Sequence, residues 1–361
     1  MTFDLSSSPA GILMTQTVKL AVAGAGLIGQ QHIERILKEP RAKLAAIIDP
    51  APKARELAER LGVVHFGDLK AAISKQRPDG VILATPNQMH VPGALTVVEA
   101  GIPVLLEKPV SDDLASAMRL VEASEAAGVP ILVGHHRRHS PLIKKAKDII
   151  ASGRLGRITA VNGLCWFRKP DEGYFDGPGS WRKEPGGGVV LINLIHVIDD
   201  LRNLCGDISG VQASESNAVR GFPVEDTAAM ILHFANGALG TLSISDVASA
   251  PWSWEMTAGE NKMYPHTDQS CYLIAGTEGA LSVPRLELWH YGGSPHWGRP
   301  IEIERSLAPE QDPLVLQLQH FCDVALGNAE PLLDCRGGTR TLEATLAVKL
   351  ASRQRGFVQL S

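Results

Sequence analysis

No apolar run in this chain approaches the roughly twenty residues that a bilayer-crossing helix needs, and the N-terminus lacks the basic-then-apolar order of a secretory leader. The cytoplasm is therefore the expected location, and a membrane is not an expected partner. An excess of basic charge is also missing. The 35 Lys and Arg face 39 Asp and Glu, and without a basic footprint nucleic acid is not an expected partner either. Cysteine is scarce and scattered: Cys165, Cys205, Cys271, Cys322 and Cys335 are odd in number and form no C-x-x-C pair. That argues against a disulfide frame and against a thiolate metal site. What remains is a globular composition, 44% hydrophobic and 20% charged over 361 residues, long enough for two domains with a core each. Residues 1–16, with SSSPAG and a second methionine at Met14, read as a mobile tail ahead of the first strand.

The stretch Val18 to Gly29, VKLAVAGAGLIG, runs from a short apolar segment into Gly24, Gly26 and Gly29 at G-x-G-x-x-G spacing, and an amphipathic segment follows from Leu27 to Lys38. Strand, tight turn and helix start in this order suit a dinucleotide. The first glycine permits the turn, the second lets backbone approach a pyrophosphate, and the third lets helix pack on strand. Leu27 and Ile28 then lie in the first helical turn, whose N–H groups point at the phosphates. Asp49 closes the next apolar run, twenty residues beyond Gly29. Its carboxylate suits both ribose hydroxyls and repels a 2′-phosphate, so NAD is expected in preference to NADP.

The same strand-and-helix unit repeats. Apolar runs at 44–48, 80–84, 103–106 and 130–133, with a weaker strand signal at 63–66, alternate with helical patterns at 52–61, 68–76, 90–100 and 112–127. Alternation predicts a parallel sheet with helices on both faces, and the runs are apolar throughout, as strands buried on both sides should be. Ligands in such sheets sit beyond the carboxyl ends of the strands. Those positions hold Thr85, Asn87 and His90, then Glu107 and Lys108, then the GHHRRH of 134–139. The second half reads differently: a helix from Pro141 to Ser152, a strand at 157–167, a glycine- and proline-rich loop at 168–188 and a helix at about 189–205. Strand-like runs follow at 211–219, 227–234, 238–246, 271–276, 280–284 and 285–291, and helices at 313–327 and 338–353. Consecutive strands after a βαβ half call for an antiparallel sheet. The expected division is thus a doubly wound α/β domain over 17–137 and a second α/β domain over 138–361.

GAGLIG, the aspartate closing the second strand, ATPNQMH, EKP and GHHRRHSP, followed by GRLGRI, WRKEPGGG and the H-x-x-D of His196 and Asp199, resemble the Gfo/Idh/MocA family in order and spacing. The resemblance spans nearly the whole chain. It implies a Rossmann NAD-binding domain followed by a substrate-binding domain with a large open, mostly antiparallel sheet. It further implies NAD(P)-dependent oxidation of a sugar or polyol, and a homodimer or homotetramer built on that sheet. The cofactor-binding set becomes Gly24, Gly26, Leu27, Ile28, Gly29, Asp49, Thr85, Asn87, His90, Glu107 and Lys108.

Oxidising an alcohol needs a group to take the hydroxyl proton and a cation to steady the oxygen. Lys108 of EKP and His196 match the family's residues for that task. One departure stands out. Four residues before His196, where the family commonly has an aspartate, this chain has Ile192; Asn193, at i−3, also reaches the same helical face but carries no charge. Proton acceptance is therefore open between Lys108 and His196. Around them Arg138, Arg168, Trp166, Trp181 and Arg182, with Asn193, are candidate substrate contacts, and together with Arg137 and Lys169 they hint at a carboxylated substrate. His135, His136 and His139 have helical spacing but no matching carboxylate, so no metal is expected. The favoured activity is hydride transfer between NAD and a ring hydroxyl of a sugar, polyol or sugar acid. A carboxylated or aromatic dihydrodiol is the first alternative, and an inactive NAD-binding sensor the second.

Overall fold

The computed structural model describes residues 16–361; the expected N-terminal tail lies outside the described residues except for Gln16. The first half alternates as the apolar runs require: β1 (Val18–Ala23), α1 (Leu27–Ile36), β2 (Ala42–Ile48), α2 (Pro52–Leu61), β3 (Val64–Phe66), α3 (Leu69–Gln76), β4 (Gly80–Leu83), α4 (His90–Glu99), β5 (Val104–Leu106), α5 (Leu114–Ala127) and β6 (Ile131–Val133). All pairings are parallel, in the order β3-β2-β1-β4-β5-β6. Strand order reverses between β1 and β4, and a crevice opens at the carboxyl ends there. Aspartates 68 and 113 accept N–H bonds at the starts of α3 and α5, and Gly62 and Gly128 take the left-handed conformation that ends α2 and α5.

The second half continues with α6 (Pro141–Ala151), β7 (Ile158–Trp166), α7 (Ile195–Cys205), β8 (Ile208–Ser216), β9 (Thr227–Phe234), β10 (Leu239–Ser245), α8 (Trp254–Thr257), β11 (Tyr272–Gly276), β12 (Gly279–Val283), β13 (Glu287–His290), β14 (Glu302–Arg305), α9 (Pro313–Ala325), α10 (Cys335–Gln354) and β15 (Val358–Gln359). Its nine strands lie in the order β14-β13-β12-β11-β7-β10-β9-β8-β15, antiparallel except for β7 beside β10. One face packs on α6, α7 and α10. The other carries the exposed Ile231, Leu239, Leu273, Trp289 and Ile303. α9 returns to the first sheet, where Leu318, Phe321, Cys322 and Val324 join the core made by Val18, Leu20, Val22 and Ile33. All five cysteines are buried thiols.

Three local results differ from the sequence reading. The helix expected from 189 begins as a π-turn, Val190–Leu194, and becomes α-helical only at Ile195. β14 and β15, at the two edges of the large sheet, have no counterpart among the expected strands. The loop 168–188 contains a 3₁₀ turn, Gly177–Lys183.

Candidate active site

The glycine turn has the shape its spacing implies. Gly24 takes φ +90°, and a Cβ on it would run into the Ala84 carbonyl; a Cβ on Gly29 would overlap the Gly24 carbonyl. Gly26 is different, since a Cβ there would meet nothing within 4 Å. This open space lies at the start of α1, whose first turn no side chain caps. First-turn N–H groups that no side chain caps, beside a backbone with room for a ligand to approach, fit a pyrophosphate. Leu27 is exposed over the opening and Ile28 is half-buried. Asp49 is aimed by its surroundings: one carboxylate oxygen accepts from Ala25 N and the other from Ala51 N, both at 2.8 Å, and each oxygen retains a lone pair for a hydroxyl.

Beyond β4, Thr85 Oγ1 is buried without a partner, and half-buried Asn87 opens a 3₁₀ turn. His90 does not extend this set. It is buried, with Nδ1 2.6 Å from Pro109 O and Nε2 2.8 Å from Thr85 O, so both ring nitrogens face backbone carbonyls and the ring ties two strand ends together. Glu107 is also turned inward, 2.8 Å from Nε2 of His32. Burial alone would raise this carboxyl, but His32, His136 and Lys108 outweigh it and hold it below the usual range. His32 went unnoticed in the sequence, although it sits on the buried stripe of α1 with Gly29, Ile33 and Ile36.

Lys108 stands at the end of β5 and points across to the π-turn, where Nζ donates to the Ile192 carbonyl at 3.2 Å. Burial, with repulsion from Arg137 and Lys169 set against attraction from Glu107, brings its pKa down from 10.5 to about 8. His196 is the second residue of the α-helical part of the same segment. The rings of His135 and His136 stand edge-on to it at 5.7 and 5.4 Å, and its Nδ1 is enclosed without a partner. Burial and then the charge of Lys108 push its pKa well below the ordinary histidine value. The two residues expected to handle a reacting hydroxyl are thus brought together, an amine that titrates at about 8 and an imidazole held toward its neutral form.

The candidate substrate contacts divide. Asn193 does not reach His196; its Oδ1 accepts from Lys169 Nζ at 2.5 Å. Arg182 donates to Tyr174 O at 2.6 Å and lies over the Tyr174 and Trp181 rings at 4.2 and 5.5 Å. The other three turn away. Arg138 forks onto Asp199 at 2.8 and 2.9 Å, pinning the 136–139 turn to α7. Trp166 and Arg168 fall on the wrong parity of β7 and its extension. Val161, Gly163, Cys165, Phe167 and Lys169 are buried toward the helices, whereas Trp166 bonds Ser243 on the open face and exposed Arg168 pairs with Asp171. Successive side chains alternate across a strand, so the residues facing the cleft side are Phe167 and Lys169.

Under the site lies an ionic layer. Arg137 pairs with Asp200 at 3.0 Å and Glu255 at 2.7 Å, and Tyr272 donates to Asp200 at 2.8 Å. Burial, with Asp199 adjacent, raises Asp200 to about 7. Asp199 goes the other way: burial opposes it, but His135, Arg138 and Thr341 hold it at about 2. Glu255, in the short α8, and Asp246, just after β10, gave no sequence signal.

Comparison with known proteins gives a consistent picture. The description "Oxidoreductase family, NAD-binding Rossmann fold" (GFO_IDH_MocA) matches residues 18–135, and the GFO/IDH/MocA C-terminal domain matches residues 143–282. The chain is 30% identical over 236 residues to the 4-carboxy-2-hydroxymuconate-6-semialdehyde dehydrogenase of Sphingobium sp. (strain NBRC 103272 / SYK-6), covering 63% of this chain and 72% of that one. It is 35% identical over 164 residues to the inositol 2-dehydrogenase of Corynebacterium glutamicum (strain R), a match spanning 44% of this chain and 48% of the relative. Among solved structures, the WlbA dehydrogenase from Bordetella pertussis in complex with NADH and UDP-GlcNAcA superposes with a TM-score of 0.78 at 26% identity, covering 96% of this chain and 99% of that one.

Proposed function

Because the chain belongs to the Gfo/Idh/MocA family of NAD-binding oxidoreductases, with relatives named inositol 2-dehydrogenases, we propose that it oxidises a ring hydroxyl of a sugar, polyol or sugar acid with NAD. The observation that carries this reading is the convergence of Lys108 and His196 on one turn, at the carboxyl edge of the sheet that holds the glycine cradle. Bound NAD supplies the hydride acceptor. Gly24, Gly26, Gly29 and Asp49 seat its pyrophosphate and adenosine ribose, and Asp49 sets the preference over NADP. Lys108, neutral in a large fraction of molecules near pH 8, takes the hydroxyl proton. His196 stays neutral and hydrogen-bonds the same oxygen. With Ile192 where the family commonly has an aspartate, nothing stabilises an imidazolium, and the proton goes to the amine.

NAD reduction followed by absorbance against inositols, aldoses and sugar acids tests the reading. NADH formation with at least one class is expected; a protein that binds NADH tightly yet turns over none of them would be a sensor. The uncovered face of the large sheet is assigned to assembly as a homodimer or homotetramer, since isolated monomers rarely leave so much apolar surface open. Leu273→Asp, at the middle of that face, should lower the sedimentation mass to that of one chain.

A further inference from the structure

We propose that the substrate carries a carboxylate, held by Lys169 together with Asn193 and Arg182, one residue along the π-turn from the Lys108 contact; the assignment rests on the dehydrogenase reading above. Three observations converge. First, strand parity aims Lys169 inward while its neighbour Arg168 goes to solvent, so a charged chain 3% exposed is sent to the cleft side. Second, Lys108 and Lys169 end on consecutive residues of the π-turn, one on the Ile192 carbonyl and the other on the Asn193 side chain. Third, Tyr174 lies between two cations, with Lys169 Nζ at 4.8 Å and the Arg182 guanidinium at 4.2 Å from its ring centre. The aromatic face orients both.

Negative charge is short here. Glu107 is taken by His32, Asp199 by Arg138 and Glu255 by Arg137. Asp246 lies 3.6 Å from Lys169 but 3.2 Å from Arg220, and so is shared. Position 192, one residue from the Lys169 contact, offers isoleucine. A polyol presents only hydroxyls and leaves Lys169 with an Asp246 that Arg220 also engages and Arg182 with a backbone carbonyl, in a poorly solvated place where a charge-assisted bond counts for most. A sugar acid supplies the missing charge, and the Asn193 amide adds a neutral donor beside it. The expected class is a polyhydroxylated carboxylic acid of the uronic or aldonic type.

The test compares kcat/KM for D-glucuronate with D-glucose, and for D-galacturonate with D-galactose, with NAD. The acid should win at least one pair by tenfold or more. Lys169→Met should reduce that acid-to-neutral ratio by about 10- to 100-fold, and Ile192→Asp, which restores a carboxylate beside Asn193, should invert it. NADH affinity and melting temperature check that each variant folds; if Lys169→Met does not, Ile192→Asp decides. Faster turnover of both neutral sugars overturns the carboxylate assignment and leaves the dehydrogenase reading standing. If no sugar turns over, that reading falls, and titration of NADH-loaded protein with D-glucuronate, read by NADH fluorescence, still decides. Binding that Lys169→Met weakens tenfold supports the carboxylate site, and absence of binding refutes it.

Discussion

Lys108 serves as a base because of what surrounds it. A lysine in water is almost wholly protonated at neutral pH, but burial and two nearby cations bring this one to about 8. Oxidation needs the neutral amine, so kcat/KM should rise with pH and level off above about 8. Reduction of the carbonyl product needs the protonated form and should fall over the same range. Lys108→Met should lower oxidation at least a hundredfold with NADH affinity retained; a pH profile unchanged by that substitution would remove Lys108 from the chemistry. Asp49 governs a separate property. Its alanine variant should weaken NAD and narrow the preference over NADP, measured as the ratio of the two kcat/KM values; an unmutated protein that already prefers NADP contradicts the assignment. At this scale the sequence was legible where a motif fixed position, as at Lys108 and Gly24. It misled where only proximity in sequence was available. Trp166 and Arg168 were chosen next to Phe167 and Lys169, and a one-residue change of parity separates solvent from cleft.

The elements repeat this contrast. Strands buried on both faces are apolar runs of few residues, and five of the six in the parallel sheet were readable on that pattern; β3, the edge strand VHF, is only partly buried and gave the weaker signal. β14, with the sequence EIER and every residue exposed, lacks such a pattern. The π-turn was hidden for another reason: VVLINLIHVI is apolar at almost every position, so it satisfies α and π spacing alike. Its wider turn leaves the Ile192 carbonyl for Lys108 and swings Asn193 away from His196. The glycine turn gives the element-scale prediction. Gly29→Val puts side-chain bulk where the Gly24 carbonyl already stands, forcing α1 off β1. NADH affinity should drop by at least tenfold, whereas Gly26→Ala, with room for its methyl, should cost less and act only on the bound phosphate. Equal affinities for both variants would place the dinucleotide elsewhere.

At the scale of the molecule, the histidines behind the site set how the fold responds to acid. Burial brings His135 to about 4 and His136 and His139 to about 3. The unfolded chain binds these protons near pH 6.5, so their contribution is fully present above that value and is lost as pH falls toward 4. Each group that stays neutral on folding costs up to about 1.4 kcal/mol per pH unit in that window. Urea midpoints should therefore decline steadily from pH 6.5 to 4.5, and His139→Asn should flatten the decline; a midpoint constant over that range would show that these rings are protonated in the fold.

The return of α9 to the first sheet also bears on how the protein is made. Val18, Leu20 and Val22 leave the ribosome early, but the side chains that cover them, Leu318, Phe321 and Val324, emerge about three hundred residues later. Arg35 and Arg41 wait equally long for Asp312 and Asp323. The nascent dinucleotide half is thus held with one apolar flank bare through most of translation, so the two halves mature together, and a chain stopped before Pro313 should depend on chaperones to stay in solution.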